Sequence, residues 1–61
     1  MLEYFKTILA KVSFDQKLFK KELRKALTSL VPQEIAQLRE WCYSKFSQHQ
    51  LVLNECFADA N

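Results

Sequence analysis

A chain of 61 residues with no glycine at all lacks the one residue that enters left-handed backbone, and permits close backbone approach, at no steric cost. About four glycines would be expected at average usage for this length. Folds that rely on left-handed turns are therefore disfavoured. Phosphate-cradling loops and dinucleotide fingerprints are excluded outright, because both are built on glycines. Helices joined by short connections remain the natural solution.

The length allows one domain, spanning 1–61. At this size only roughly 60% of the unfolded surface becomes buried, so a lone core is marginal. Ordering each residue costs about 1.5 kcal/mol, which apolar burial does little more than offset, and help from a partner chain is expected. With 49% hydrophobic and 26% charged residues, the composition is that of a globular protein rather than a disordered tail.

Helical periodicity runs through each segment. Leu2, Phe5, Ile8, Leu9 and Val12 recur at spacings of three and four, which predicts a first helix over about 2–12. Ser13 and Gln16 suggest a capping box for a second helix, with Asp15 in its first turn facing the positive end of the dipole. That helix, about 14–30, gathers Phe19, Leu23, Ala26, Leu27 and Leu30 into one stripe. Phe14 and Leu18 fall outside it, either packed under the end of the first helix or exposed as a contact. Pro32 suits the first position of a third helix over about 32–46. Its inward residues are Ile35, Leu38, Cys42 and Phe46, with Trp41 and Tyr43 on the flanks.

Beyond Phe46 two architectures are open. The stripe continues through His49, Leu53, Cys56 and Ala60, and one unbroken helix of roughly 28 residues would be about 42 Å long. It would overhang the second helix, at roughly 25 Å, and its apolar stripe would need a second copy of the chain. Alternatively Ser47 caps a fresh helix over about 48–60, with Gln50 as its capping-box partner and Phe46 stapled to Leu51. The tail would then fold back and close a monomeric core. The expected fold class is all-α, a bundle of three or four helices.

The most unusual local feature is "KLFKKELRKAL", which places Lys17, Lys20, Lys21, Arg24 and Lys25 in one run with Glu22 as the single acid. Several of these are like-charge neighbours four apart, costing about 0.2–0.5 kcal/mol each in an isolated helix. Residues 14–31 carry five basic and two acidic side chains, net +3, whereas residues 32–61 carry two and four, net −2. Such a stripe is a landing surface for an anion, or else simply a solvated face rich in good helix formers. Nucleic-acid binders usually carry a larger excess than the net +2 found here. As the reading end of a helix-turn-helix, Gln33, Glu34 and Gln37 would bring a carboxylate to a phosphate-rich duplex.

Chemistry-bearing residues are few. Cys42, His49 and Cys56 recur every seven residues, but along one helix successive members would stand about 10.5 Å apart, too far to share a metal. Two cysteines without C-x-x-C spacing make neither a disulfide framework nor a zinc site, and they read as buried thiols in a reducing compartment. "MLEYFKTILAKV" lacks the continuous apolar centre of a signal peptide. No stretch approaches the roughly 18 apolar residues that span a membrane.

These readings converge on a non-enzymatic, cytoplasmic protein-interaction module without metal, cofactor or small-molecule substrate. Lys17, Lys20, Lys21, Arg24 and Lys25 are the expected contacts to an acidic partner. Trp41, His49, Leu53, Cys56 and Phe57 are the expected interface of a homo-oligomer, a dimer. The alternative is nonspecific nucleic-acid binding through the same basic stripe. Docking on an anionic membrane through the second helix, with Phe14 and Leu18 inserting, is a third and less expected mode.

Overall fold

The periodic segments form four helices: α1 Leu2–Val12, α2 Gln16–Ser29, α3 Pro32–Lys45 and α4 Gln50–Ala60. A 3₁₀ turn, Ser47–His49, separates α3 from α4. The structure is a computed structural model that describes residues 1–60, with side chains through Ala58. The described residues contain no strand, and the fold is an all-α bundle.

All three chain reversals are made without a left-handed residue, since no described residue has positive φ. At the first reversal Ser13 stays in the right-handed helical region (φ −65°, ψ −16°) and its Oγ donates to the Ala10 carbonyl at 3.0 Å. An N-cap needs extended backbone, so Ser13 cannot serve as one. The cap of α2 is instead Asp15 (φ −123°, ψ 110°), whose Oδ1 accepts from the backbone N–H groups of Lys17 at 3.0 Å and Leu18 at 3.2 Å. The helix consequently starts two residues later than the sequence suggests.

At the second reversal Leu30 and Val31 are both extended, as the residue before a proline prefers to be. Pro32 then occupies the first turn of α3, as expected. The Glu34 carboxylate reaches back to accept from the Val31 N–H at 3.4 Å. Valine offers no acceptor in return, so the cap is one-sided.

The third reversal decides between the two architectures. Phe46 leaves the helical region (φ −120°, ψ 56°) while its N–H still donates to the Cys42 carbonyl at 2.8 Å. The His49 N–H then closes the 3₁₀ turn on the Phe46 carbonyl at 2.9 Å. The helix is broken and the tail folds back. The devices expected to make that break are absent, however: Ser47 makes no side-chain cap bond, and Leu51 is 77% exposed rather than stapled to Phe46.

Phe46 and His49 are drawn inward by Phe19, which is fully buried. The Phe19 ring meets Phe46 edge-on at 5.1 Å between centroids and stacks on the His49 imidazole at 4.5 Å. The core combines Phe5 and Leu9 of α1, Phe19, Leu23 and Ala26 of α2, Leu38 and Cys42 of α3, and Val52, Leu53, Cys56 and Phe57 of α4, with Leu30 and Phe46 closing it from the connections. α2 packs on α1 and α4, and α3 packs on α4 and α1. Across α3 and α4 the Tyr43 hydroxyl donates to Asn54 Oδ1. The greatest extent is 26 Å and the radius of gyration 10.0 Å, close to the roughly 10 Å expected of a compact chain of this length. An unbroken third helix would be far longer than the molecule.

The two serine and aspartate positions separate in a mutational test. Asp15→Ala should cost about 1 kcal/mol of unfolding free energy, and Ser13→Ala only a few tenths at most. Urea denaturation of both variants reads the difference, and equal losses would contradict the cap assignment.

Candidate functional site

Because α2 turns Phe19, Leu23 and Ala26 inward, the opposite side of the same helix carries most of the basic run. Lys17, Lys21, Arg24 and Lys25 are exposed there. Lys20 departs from the expected stripe: it sits on the flank facing α4, where its Nζ lies 3.1 Å from Glu55 Oε2. Glu22, which the linear pattern leaves off the stripe, also reaches a lysine, with 3.7 Å between its Oε2 and Lys25 Nζ. Arg24 is engaged in an interaction of its own. Lys17 and Lys21 have no carboxylate within ion-pair distance among the described residues. They are one helical turn apart and face solvent.

Two apolar side chains accompany these ammonium groups. Phe14, just ahead of the Asp15 cap, is 82% exposed, and Leu18, one turn into α2, is 41% exposed. Of the two positions open for them in the sequence, the structure takes the exposed one. Phe14 stands in the turn between α1 and α2, directly ahead of the Asp15 cap. Asp15 lies between the two apolar residues, but its carboxylate is occupied by backbone N–H groups.

The residues expected to form an oligomer surface lie elsewhere. Leu53, Cys56 and Phe57 are buried in the chain's own core, and so is His49. The break after Phe46 turns the α4 stripe onto α2 and α3, which leaves none of these four side chains for a second copy. Trp41 is only partly buried. It meets Phe46 edge-on at 5.2 Å, and the Lys6 ammonium lies 5.6 Å from its ring centroid, at the seam of α1 and α3.

No three metal-ligating side chains come together among the described residues. His49 Nε2 is 2.7 Å from the Ser13 carbonyl oxygen, an approach an imidazole nitrogen makes as an N–H donor. That bond ties the 3₁₀ turn to the first chain reversal. Both cysteines are free and buried. Burial chiefly, and the neighbouring Cys56 charge secondarily, push the Cys42 thiol up to about 12, against a smaller lowering by Lys6. A thiol that stays protonated is a poor nucleophile and a poor metal ligand.

No family model, curated protein or solved structure matches this chain. Fold and surface together define a small all-α bundle with a basic face on α2, in which Lys17 and Lys21 have no carboxylate at ion-pair distance among the described residues, bordered by exposed apolar side chains. No described helix is long and apolar enough to cross a membrane.

Cys42 gives the fold a pH dependence of definite sign. Its folded value is raised to about 12, whereas an unfolded cysteine ionises near about 8.5. Its contribution is therefore complete below the unfolded value and is lost as pH climbs towards the folded one, at up to about 1.4 kcal/mol per unit. Denaturant titrations at about pH 8 and about pH 10 should show a steeper loss for the native chain than for Cys42→Ala. Parallel losses would contradict the assignment.

Proposed function

We propose that this protein is a non-enzymatic docking module that meets an anionic partner through the outward face of α2. The observation that carries this reading is the pair Lys17 and Lys21, like charges one turn apart with no carboxylate at hand among the described residues. The same helix relieves Lys20 and Lys25 with Glu55 and Glu22, so the chain has the means to neutralise an ammonium group. Leaving two together costs a few tenths of a kcal/mol in a helix. Carboxylates or phosphates of a partner would remove that repulsion and gain up to about 1 kcal/mol per exposed pair.

The polarity of the chain supports the same reading, because the acidic excess lies in residues 32–61 and the basic excess in residues 14–31. An excess of one sign along one helix favours the approach of an anion to that helix. The two free, buried thiols support a reducing compartment such as the cytoplasm. Acidic protein surfaces, nucleic acid and anionic lipid headgroups are the partner classes that carry the complementary charge.

Fluorescence anisotropy with labelled polyglutamate and with duplex DNA at low ionic strength tests the reading. Polyglutamate should bind the native chain, and each of Lys17→Gln and Lys21→Gln should weaken it by about threefold to fivefold, the equivalent of up to about 1 kcal/mol. Binding of DNA alone, weakening by about 0.9 log units per log unit of salt for each phosphate neutralised, would assign the face to nucleic acid. Failure of both polyanions and of anionic lipid vesicles to bind overturns the proposal.

A further inference from the structure

We infer that the anionic partner of this face is a lipid bilayer surface, onto which the protein docks peripherally with Phe14 and Leu18 in the headgroup–acyl boundary and Lys17, Lys21 and Lys25 on headgroup phosphates. The inference rests on the docking reading above and names its partner. Three features carry it: the exposure of Phe14, the chemistry around it and the small size of the patch.

Phe14 is the most exposed large apolar side chain of the described residues, at 82%, and it stands at a helix–helix connection, where it projects. Leu18 follows one turn later. Lys17 and Lys21 stand one turn apart beside them, and Lys25 continues the row by another turn. Exposed apolar side chains at the start of a helix, followed by lysines on its next turns, are the local chemistry of helices that lie in an anionic membrane interface. Lysine suits the role because its apolar stem can lie along the acyl boundary while the ammonium group reaches the headgroups.

Apart from the ammonium groups, the patch offers little directional hydrogen bonding. The one acid between Phe14 and Leu18, Asp15, has its accepting oxygen on the backbone of Lys17 and Leu18, and Glu22 is turned to Lys25. Such a surface reads charge and apolarity but little else, which matches a fluid layer of headgroups better than a protein with a fixed pattern of donors and acceptors.

Size points the same way. A stable protein interface takes about 800 Å² from each partner, which is about a fifth of this chain's entire 4147 Å² of accessible surface. Two apolar side chains and three lysines fall short of that. A bilayer needs no matching area, since each lysine near an anionic surface strengthens binding by about fivefold. The acids Glu34 and Glu40 ride on α3, which packs on α4 and α1, and so they stand on a different helix from the docking face. With no described helix able to span the bilayer, the association is peripheral and reversible.

Co-sedimentation of the full chain with vesicles tests this, comparing phosphatidylcholine alone with phosphatidylcholine containing about 30% phosphatidylglycerol. Binding should appear only on the anionic vesicles. Lys17→Gln with Lys21→Gln should weaken it by about 25-fold, from about fivefold per lysine, and Phe14→Ser by about tenfold. Phe14→Ser alters an exposed side chain, so its thermal melt should match the native one and its affinity for polyglutamate should be unchanged. Polyglutamate or DNA binding without vesicle binding overturns the membrane partner and leaves the docking reading standing. Vesicle binding that Phe14→Ser does not weaken overturns insertion. Absence of binding to vesicles, polyglutamate and DNA alike overturns both.

Discussion

The contact on which the rest of the molecule depends is the one between Phe19 and the pair Phe46 and His49. Phe19 belongs to α2, and its partners both lie just past the end of α3, Phe46 at its C-cap and His49 in the 3₁₀ turn. The chain leaves the helical path at Phe46 (φ −120°, ψ 56°), and both rings pack on Phe19 through that break. Once the path is broken, α4 falls back along α2 and α3, and Val52, Leu53, Cys56 and Phe57 enter the core. The imidazole adds a polar tie to the Ser13 carbonyl at 2.7 Å, so the same residue also anchors the connection that opens α2. Cutting this contact would loosen two of the three connections together.

Much of the fold was legible from local pattern. The spacing of Phe5 and Leu9, of Phe19, Leu23 and Ala26, and of Leu38 and Cys42 locates three helices and their buried faces. Pro32 marks the start of α3 by a constraint internal to the residue. The choice of cap for α2 was not legible, since Ser13 and Asp15 both have the right side chain. It is settled by backbone: Ser13 still lies in the helical region and Asp15 does not. The break after Phe46 was equally undetermined, because Ser47, Gln50 and Leu51 imitate a helix start that the structure makes by another route. What decides it is packing against Phe19, a contact between distant parts of the chain that no short window contains.

The candidate face shows the same division. That most of the run from Lys17 to Lys25 faces solvent follows from helical periodicity. Which lysines are neutralised does not: Lys20 finds Glu55 on a different helix, and only the fold brings α2 and α4 together. Phe14 stands between the two cases. It lies outside the core stripe in the sequence, and the structure leaves it exposed in the turn ahead of the Asp15 cap. The stripe of Leu53, Cys56 and Phe57 is genuine amphipathicity, and it is satisfied within one chain.

The connections made without any positive φ among the described residues bear on a question of chain statistics. Replacing glycine by a residue with a β-carbon, where the native backbone allows it, raises stability by about 0.4–1 kcal/mol by narrowing the denatured ensemble. The roughly four glycines missing relative to average usage would together amount to about 2–4 kcal/mol. For a domain this small, that is a sizeable share of the roughly 5–15 kcal/mol that separates folded from denatured proteins. The stiffness of the chain when it is not folded thus helps a modest core hold the native state, and a glycine introduced at Ser13, Val31 or Phe46 would weaken the protein even where it disturbed no contact.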